Sequence, residues 1–167
     1  VKLSPFFSSV GHMAKRLVDA GANGIVMFNR FYQPDFDLDR RAVESKLELS
    51  HSAEIRLPLL WLSTLFGNIN ASLAATRGVE TEKEVVKYIL AGADAVMTTS
   101  AILRNGESYF GTLRANLSNW MESNGYESVD QMKGSMSLAN CAEPEAIVRA
   151  NYIKMLQSYA KPKSETG

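Results

Sequence analysis

The sequence predicts an α/β fold in which strands and helices alternate and the strands form a parallel sheet. Short apolar runs typical of buried strands alternate with segments in which apolar residues recur every three or four positions, as in amphipathic helices. A weak internal repeat supports the same order, because residues 20–27 (AGANGIVM) resemble residues 91–97 (AGADAVM). Each copy contains a helix end, a glycine, a short polar turn and a buried strand. The repeated unit is therefore a helix followed by a parallel strand.

Four strands and five helices are predicted along the chain. The strands cover residues 1–3, 24–28, 73–75 and 95–98. The helices cover residues 9–20, 53–66, 81–91, 107–124 and 144–159. Thr81 and Glu84 have the spacing of a capping box, and Gly21 and Gly92 suit helix ends. Residues 30–50 are predicted to be irregular, and an insertion of that length in a compact domain usually has a function.

The composition excludes several classes of protein. The 167 residues include 18 basic and 18 acidic side chains, and this zero net charge argues against a nucleic-acid partner. No apolar run approaches the ~18 residues of a spanning helix and no signal peptide opens the chain, so we expect no membrane partner. The single cysteine, Cys141, excludes an internal disulfide and suits a reducing, cytoplasmic location.

Alternating strands and helices with right-handed crossovers leave two architectures, an open doubly wound sheet and a (βα)8 TIM barrel. The short strands, with polar residues at their C-terminal ends, favour the barrel. Four βα units make half of such a barrel, which typically has ~250 residues. The chain also begins in mid-element, with Val1, Lys2 and Leu3 and without a methionine.

The working residues of a barrel lie at the C-terminal ends of its strands and in the loops that follow. Here those positions hold Lys2 and Ser4, Asn29 and Arg30, Thr76-Arg77-Gly78, and Thr99-Ser100. The set contains neither an acid–base pair nor a cluster with metal-ligand spacing. The last two groups together predict a phosphate site, since the loops after the final strands of a barrel often bind phosphate. Gly78 would let the backbone approach closely, and Arg77 would supply charge.

Lys2 and Asn29 each have two interpretations. A lysine directed into a barrel interior is costly without an anionic partner, so Lys2 could form a Schiff base, neutralise a carboxylate or stabilise a reduced flavin. The alternative is that it points to solvent at a chain terminus. Asn29 can donate and accept hydrogen bonds at once, which suits an amide-like or carboxylate ligand, but asparagine is also common in turns.

At these positions the sequence resembles the flavin-dependent dihydroorotate dehydrogenases. The similarity lies in residues 1–7 (VKLSPFF), 28–30 (FNR), 75–79 (ATRGV), 98–102 (TTSAI) and 125–129 (GYESV). It is similar above all to the bacterial dihydroorotate dehydrogenase-like branch, through residues 149–152 (RANY) and 156–159 (LQSY). The resemblance runs over nearly the whole chain, to about residue 159.

The resemblance implies that the chain is the C-terminal half, strands five to eight, of an FMN-binding TIM barrel. Residues 1–126 would form the half-barrel, residues 127–160 a helical extension and residues 161–167 a disordered tail. Lys2 would contact the isoalloxazine ring of FMN, and Asn29 would hold the substrate. The residues implied around the rest of the cofactor are Ser50, in place of the family's glycine-rich flavin loop, and Thr76, Arg77, Gly78, Thr99 and Ser100.

The implied activity is oxidation of dihydroorotate to orotate, a step of pyrimidine biosynthesis, or a related CH–CH dehydrogenation. The family's catalytic base is a Cys or Ser on a loop of the first barrel half, so we expect it upstream and the present chain alone inactive. Two alternatives stay open: a non-catalytic flavin-binding homologue, and a flavin-free phosphate-binding lyase or isomerase. The expected partners are a dihydroorotate-like substrate and a second copy of the protein in a homodimer.

Overall fold

The computed structural model describes residues 1–30 and 33–144. The strands within them are β1 (Lys2–Leu3), β2 (Gly24–Met27), β3 (Asp35–Asp37), β4 (Ala42–Glu44), β5 (Ser72–Thr76) and β6 (Ala95–Met97). The helices are α1 (Val10–Asp19), α2 (Arg56–Leu65), α3 (Glu82–Ala91), α4 (Ser100–Asn105), α5 (Tyr109–Ser123) and α6 (Val129–Met132), with a 3₁₀ turn (Ser52–Ile55) before α2. The four predicted strands and the first four predicted helices are confirmed. The helix predicted over residues 144–159 lies outside the described residues, apart from Pro144 itself.

Four strands form one parallel sheet whose spatial order, β1-β2-β5-β6, is also their order along the chain. A doubly wound sheet reverses its strand order at a switch point, whereas a barrel adds each new strand on the same side. Since no reversal occurs within the described residues, the sheet is an arc of a barrel. The predicted barrel architecture is therefore confirmed for this chain.

Helices cover one face of the parallel sheet and leave the other face open. One row of neighbouring side chains faces the helices and belongs to the hydrophobic core: Leu3, Met27, Ala75 and Val96. The adjacent row, one residue earlier in each strand, faces the other side: Lys2, Val26, Ala74 and Ala95. These side chains are half-buried or exposed, and Met97 on the same face is 45% exposed. Because side chains alternate along a strand, this second face corresponds to the interior of a closed barrel.

The segment predicted to be irregular, residues 30–50, contains regular structure. Strands β3 and β4 pair antiparallel, with Phe36 opposite Val43, and form a hairpin that projects from the sheet. Phe36 is 66% exposed, so the hairpin buries little apolar surface. The prediction was wrong because each strand has only three residues, too few for alternation to be visible in a polar sequence.

Helix α3 begins and ends as the sequence predicts. The Thr81 hydroxyl accepts a hydrogen bond from the Lys83 amide, and the buried Glu84 carboxylate accepts one from the Thr81 amide at 2.8 Å. At the other end Gly92 adopts a left-handed conformation, with φ of +117°, and a Cβ there would lie 2.5 Å from the Phe66 ring. Only glycine allows this close contact between α2 and α3.

The described part of the predicted C-terminal extension packs on the outer side of the helical layer. Met132 of α6 is fully buried in a second core cluster with Val86, Ile89 and Leu90 of α3. The following residues hydrogen-bond to the C-terminal carbonyls of α3, since the Gly134 amide donates to Ile89 at 2.9 Å. The described part of the extension, residues 127–144, therefore packs against α3.

Candidate functional site

A cavity of about 150 Å³ lies at the C-terminal ends of the parallel strands. The structure brings together around it the eight residues assigned above to the cofactor and the substrate: Lys2, Asn29, Ser50, Thr76, Arg77, Gly78, Thr99 and Ser100. Of the other two residues expected at strand ends, Arg30 also lines the cavity and Ser4 does not. Five more residues complete its lining, namely Phe28, Arg30, Val79, Met97 and Thr98. Ser50 comes from the segment before α2, 50 residues from Ser100, so only the fold makes these two neighbours.

The lining of this cavity is rich in hydrogen-bond donors and positive charge. Lys2, Arg30 and Arg77 are its charged residues, and no acidic side chain lines it among the residues that the structure describes. No acceptor within the described ranges engages the Lys2 ammonium. Hydroxyl groups make up much of the remaining wall. Such a site favours an anion that accepts several hydrogen bonds.

Ser50 and Ser100 line the cavity and hydrogen-bond to each other. Their hydroxyls lie 2.8 Å apart, and the Ser50 amide donates to the Ser100 hydroxyl at 3.0 Å. The Gly78 amide donates to the Ser50 hydroxyl at 3.3 Å. Both serine residues are buried, with exposed fractions of 8% and 9%. These contacts join the loops after β5 and β6 to the segment before α2.

Gly78 is required here by packing. Its φ is +65°, and a Cβ would lie 2.7 Å from the Ile55 side chain and 2.8 Å from the His51 carbonyl. A larger residue would push the loop after β5 away from the 3₁₀ turn before α2. The sequence-based argument assigned this glycine a close approach to a ligand, and the structure adds a close approach to the neighbouring loop.

Arg77 directs its guanidinium toward Glu54 and not freely into the cavity. Its Nη2 donates to the Glu54 carboxylate at 2.5 Å and its Nε donates at 3.2 Å, with both side chains largely buried. Burial raises the pKa of Glu54, but the hydrogen bonds from Arg77 and from the His51 amide outweigh burial, and the pKa lies below its usual value. The charge of Arg77 at the cavity is thus partly neutralised.

Tyr88 of α3 hydrogen-bonds to the backbone of the loop after β5. Its hydroxyl donates to the Arg77 carbonyl at 2.8 Å and lies 3.4 Å from the Thr76 carbonyl. The ring is completely buried, and burial raises the pKa of the phenol. Tyr88 therefore stays a neutral donor at physiological pH and fixes the backbone of Arg77, whose φ is +89°.

Sequence reasoning missed the residues that position the cavity wall. Glu54 and Tyr88 support Arg77, while Arg104 and Glu80 hold the segment that carries Ser50. Glu54, Tyr88 and Arg104 lie outside the strand ends and the loops that follow them, where the barrel rule places working residues. Glu80 lies in the loop after β5 but was not identified. Each acts through a contact between elements that are distant in sequence, so no local spacing could have identified them.

A second, larger cavity of about 540 Å³ lies beside the β3–β4 hairpin. Charges of both signs line it, with Arg30 and Lys46 close to Asp35, Glu44 and Glu48. It lies away from most strand ends and lacks the concentration of donors that marks the first cavity. We therefore assign the functional site to the smaller cavity.

Two classes of site are not found in the described part of the chain. No group of three His, Cys, Asp or Glu side chains there could hold a metal ion. Within residues 1–30 and 33–144, no helix has the length and apolar character needed to cross a bilayer.

The fold and the site together define a partial (βα)8 barrel with a positively charged cavity at the C-terminal ends of its strands. A solved structure has the same fold: ligand-free dihydroorotate dehydrogenase from Eimeria tenella superposes with a TM-score of 0.63 over 80% of this chain. Sequence identity in that comparison is 22%, and 38% of the Eimeria chain is covered. The same enzyme in complex with ferulenol gives a TM-score of 0.62. No family model matches the chain.

Curated relatives carry the same enzyme name. The catalytic subunit of dihydroorotate dehydrogenase B (NAD(+)) from Geotalea uraniireducens is 28% identical over 81% of this chain and 45% of its own length. The subunits from Halalkalibacterium halodurans and Pyrococcus abyssi are 30% and 24% identical over 60% and 80% of this chain. These matches confirm the resemblance to the dihydroorotate dehydrogenases. The chain spans at most about half the length of these relatives.

Proposed function

We propose that this chain forms the FMN-binding half of a dihydroorotate dehydrogenase-like flavin oxidoreductase. The observation that carries the proposal is the cavity lined by Lys2, Ser50, Gly78 and Ser100, whose lining includes no acidic side chain among the described residues. The curated relatives are named as the catalytic subunit of dihydroorotate dehydrogenase B, which supports an oxidoreductase of that class. The substrate we propose is dihydroorotate or a compound of similar shape and charge.

The donor set fits the phosphate end of FMN. Ser50, Gly78, Thr99 and Ser100 line the cavity near the C-terminal ends of β5 and β6. The three hydroxyls among them would donate to the phosphate, while the Gly78 amide holds the Ser50 hydroxyl. A phosphate monoester accepts several short hydrogen bonds and carries up to two negative charges, which this lining would balance. Arg77 would contribute a reduced charge because of its ion pair with Glu54. Its backbone and that of Thr76 would line the cofactor.

Lys2 and Asn29 would act at the other end of the site. Bound FMN would supply the hydride-accepting chemistry of the reaction. From β1, the Lys2 ammonium would stabilise negative charge on the adjacent edge of the cofactor, as its position on the open face of the sheet allows. Asn29, directly after β2, would orient the polar edge of the substrate with its amide group.

The base that removes the substrate proton would come from outside this set of residues. The cavity lining contains no histidine, cysteine or carboxylate among the described residues. Ser50 and Ser100 hydrogen-bond each other, and neither contacts a histidine or carboxylate that could activate it within the described chain. We therefore propose that the other half of the barrel supplies the base and that this chain alone binds FMN without turnover.

Fluorescence titration of the 167-residue chain with FMN and with riboflavin tests the proposal. We expect FMN to bind more tightly by about tenfold or more, since only FMN carries the phosphate. Ser100→Asp should abolish that preference through repulsion between the new carboxylate and the phosphate, whereas Ser118→Asp on the exposed surface of α5 should leave it intact. Equal affinities for FMN and riboflavin, or undiminished FMN binding by Ser100→Asp, would contradict the assignment.

A further inference from the structure

Arg104 links three parts of the site from outside the cavity. It lies in α4, and its Nη1 donates to the Ser50 carbonyl at 2.9 Å and to the Glu80 carboxylate at 3.0 Å. Its Nη2 donates to the Leu49 carbonyl at 3.2 Å. Arg104 is not part of the cavity lining. Its planar fork of donors thus holds two successive carbonyls and one carboxylate, which a lysine cannot reproduce.

Glu80 holds the same segment from the other side. Its Oε1 accepts from Arg104, and its Oε2 accepts from the Ser52 amide at 3.0 Å. The Glu80 carbonyl in turn accepts from the Tyr109 hydroxyl at 3.0 Å, which ties it to α5. We call Arg104 and Glu80 together the clamp. Through it, residues 49–52 are fixed to the loop after β5 and to the helix after β6.

Residues 49–52 depend on side chains for their hydrogen bonds. Residues 45–51 have no helical or strand structure, and the 3₁₀ turn begins only at Ser52. The Leu49 and Ser50 carbonyls bond to Arg104, the Ser52 amide bonds to Glu80, and the Ser50 amide bonds to Ser100. Three of these four hydrogen bonds come from the clamp, so the clamp holds the backbone on both sides of the Ser50 side chain.

We propose that Arg104 is a positioning residue that, with Glu80, places the Ser50 hydroxyl in the phosphate-binding wall. This inference rests on the proposed FMN site. Arg104 contributes no contact to the ligand and acts only through Ser50. Loss of its guanidinium releases the carbonyls of residues 49 and 50, so the Ser50 hydroxyl no longer stays within hydrogen-bond distance of Ser100 and Gly78.

The test compares FMN with riboflavin, because a general loss of folding weakens both ligands equally. Arg104→Met is expected to reduce FMN affinity by about tenfold, the effect of losing one charge-assisted hydrogen bond, with riboflavin affinity unchanged. Arg104→Lys should recover only part of the preference for FMN. The matched control is Arg114→Met, which removes an exposed arginine of α5 and should change neither affinity.

A double-variant cycle shows whether Arg104 acts through Ser50. If it does, Arg104→Met combined with Ser50→Ala loses no more FMN affinity than the weaker-binding single variant. If the fold-losses in FMN affinity of the two single variants multiply in the double variant, Arg104 does not act through Ser50. If circular dichroism shows that Arg104→Met does not fold, Glu80→Gln is used in its place. That substitution weakens the clamp while keeping the size of the side chain.

The results separate the two proposals. If the wild-type chain prefers FMN and Arg104→Met keeps that preference, the positioning role is wrong and the FMN site stands. If the wild-type chain binds FMN and riboflavin equally, the phosphate assignment fails, and the role of Arg104 fails with it. If Arg104→Met loses the preference for FMN over riboflavin while the wild-type chain and Arg114→Met keep it, the result supports both the FMN site and the positioning role.

Discussion

At the scale of single residues, the loop after β5 holds Arg77 in an unfavourable backbone conformation that hydrogen bonds from neighbouring elements stabilise. Arg77 has a φ of +89°, a conformation that costs a non-glycine residue of order 1 kcal/mol or more. Glu54 holds its side chain and Tyr88 holds its carbonyl, and these two contacts offset that cost. The strand-end rule assigned Arg77 to a phosphate site, whereas the structure shows that its guanidinium pairs with the Glu54 carboxylate.

The ion pair between Glu54 and Arg77 predicts an acid-sensitive component of stability. The pKa of Glu54 is lower in the folded chain than its usual value of 4.5, so the pair stabilises the fold at neutral pH. This contribution is lost as the pH falls from about that value through the folded pKa. Glu54→Gln should therefore lower the free energy of unfolding at pH 7 by about 1–3 kcal/mol and by less at pH 3.

Urea denaturation at several pH values checks this prediction. Glu122→Gln, an exposed substitution on α5, is the control and should leave the pH dependence of the wild-type chain unchanged. A Glu54→Gln curve parallel to that of the wild type from pH 7 to pH 3 would show that the pair has no such role.

Gly78 gives a second prediction at this scale. Gly78→Ala places a methyl group 2.7 Å from Ile55 and 2.8 Å from the His51 carbonyl, so one of the two loops must move. We expect a loss of about 1–3 kcal/mol in stability, together with weaker FMN binding. Gly111→Ala is the control, because that glycine lies within α5 with no atom near its missing Cβ, and alanine there should stabilise the helix by up to ~1 kcal/mol. Thermal unfolding followed by circular dichroism distinguishes the two variants.

At the scale of the elements, helix α3 connects the hydrophobic core with the site. Its N-terminal cap directly follows Glu80 of the clamp, and its buried Tyr88 supports the loop after β5. Its other side packs against α5 and α6 through Val86, Ile89 and Leu90. Because both ends of α3 are fixed, by the capping box and by Gly92, the helix holds Tyr88 and Glu80 at constant positions.

Removing the cap should weaken α3 by a predictable amount. Thr81→Ala deletes the hydroxyl that accepts from the Lys83 amide and that contacts the Glu84 carboxylate at 2.9 Å. The expected loss is about 1 kcal/mol, the usual value for an N-cap threonine, and Thr81→Ser should retain most of the stability. Chemical denaturation of both variants tests this, and equal stabilities for the alanine and serine variants would refute the capping role.

At the scale of the whole molecule, the dominant feature is a sheet with one covered and one uncovered face. Edge strands β1 and β6 each have a single neighbour among the described residues, and Met97 and Ala95 are exposed on the open face. Unpaired strand edges and exposed apolar side chains favour association with another polypeptide. The curated relatives are about twice as long as this chain, and under the proposed function a second half-barrel would cover this face.

The 167-residue chain in isolation is accordingly expected to self-associate. Light scattering should show an apparent mass that rises with concentration, because the open face and the strand edges are available to other copies. Met97→Lys places a charge on this face and should reduce the association, whereas Leu103→Lys, at a site 63% exposed on α4, should have little effect. A stable monomer at all concentrations would contradict the half-barrel interpretation of the open face.

The sequence by itself determined the order of the elements, the cap and glycine that bound α3, and the strand-end residues that line the cavity, while Ser50 was named only through the family resemblance. These features are local: periodicity, capping and strand ends depend on neighbouring residues, and the barrel rule converts strand ends into a site. Only the tertiary structure decided that Arg77 pairs with Glu54, that Ser50 meets Ser100 and that Arg104 holds the Ser50 segment. These contacts join residues 23, 50 and 54 positions apart, and their geometry follows from the packing of neighbouring βα units, which no spacing in the sequence records.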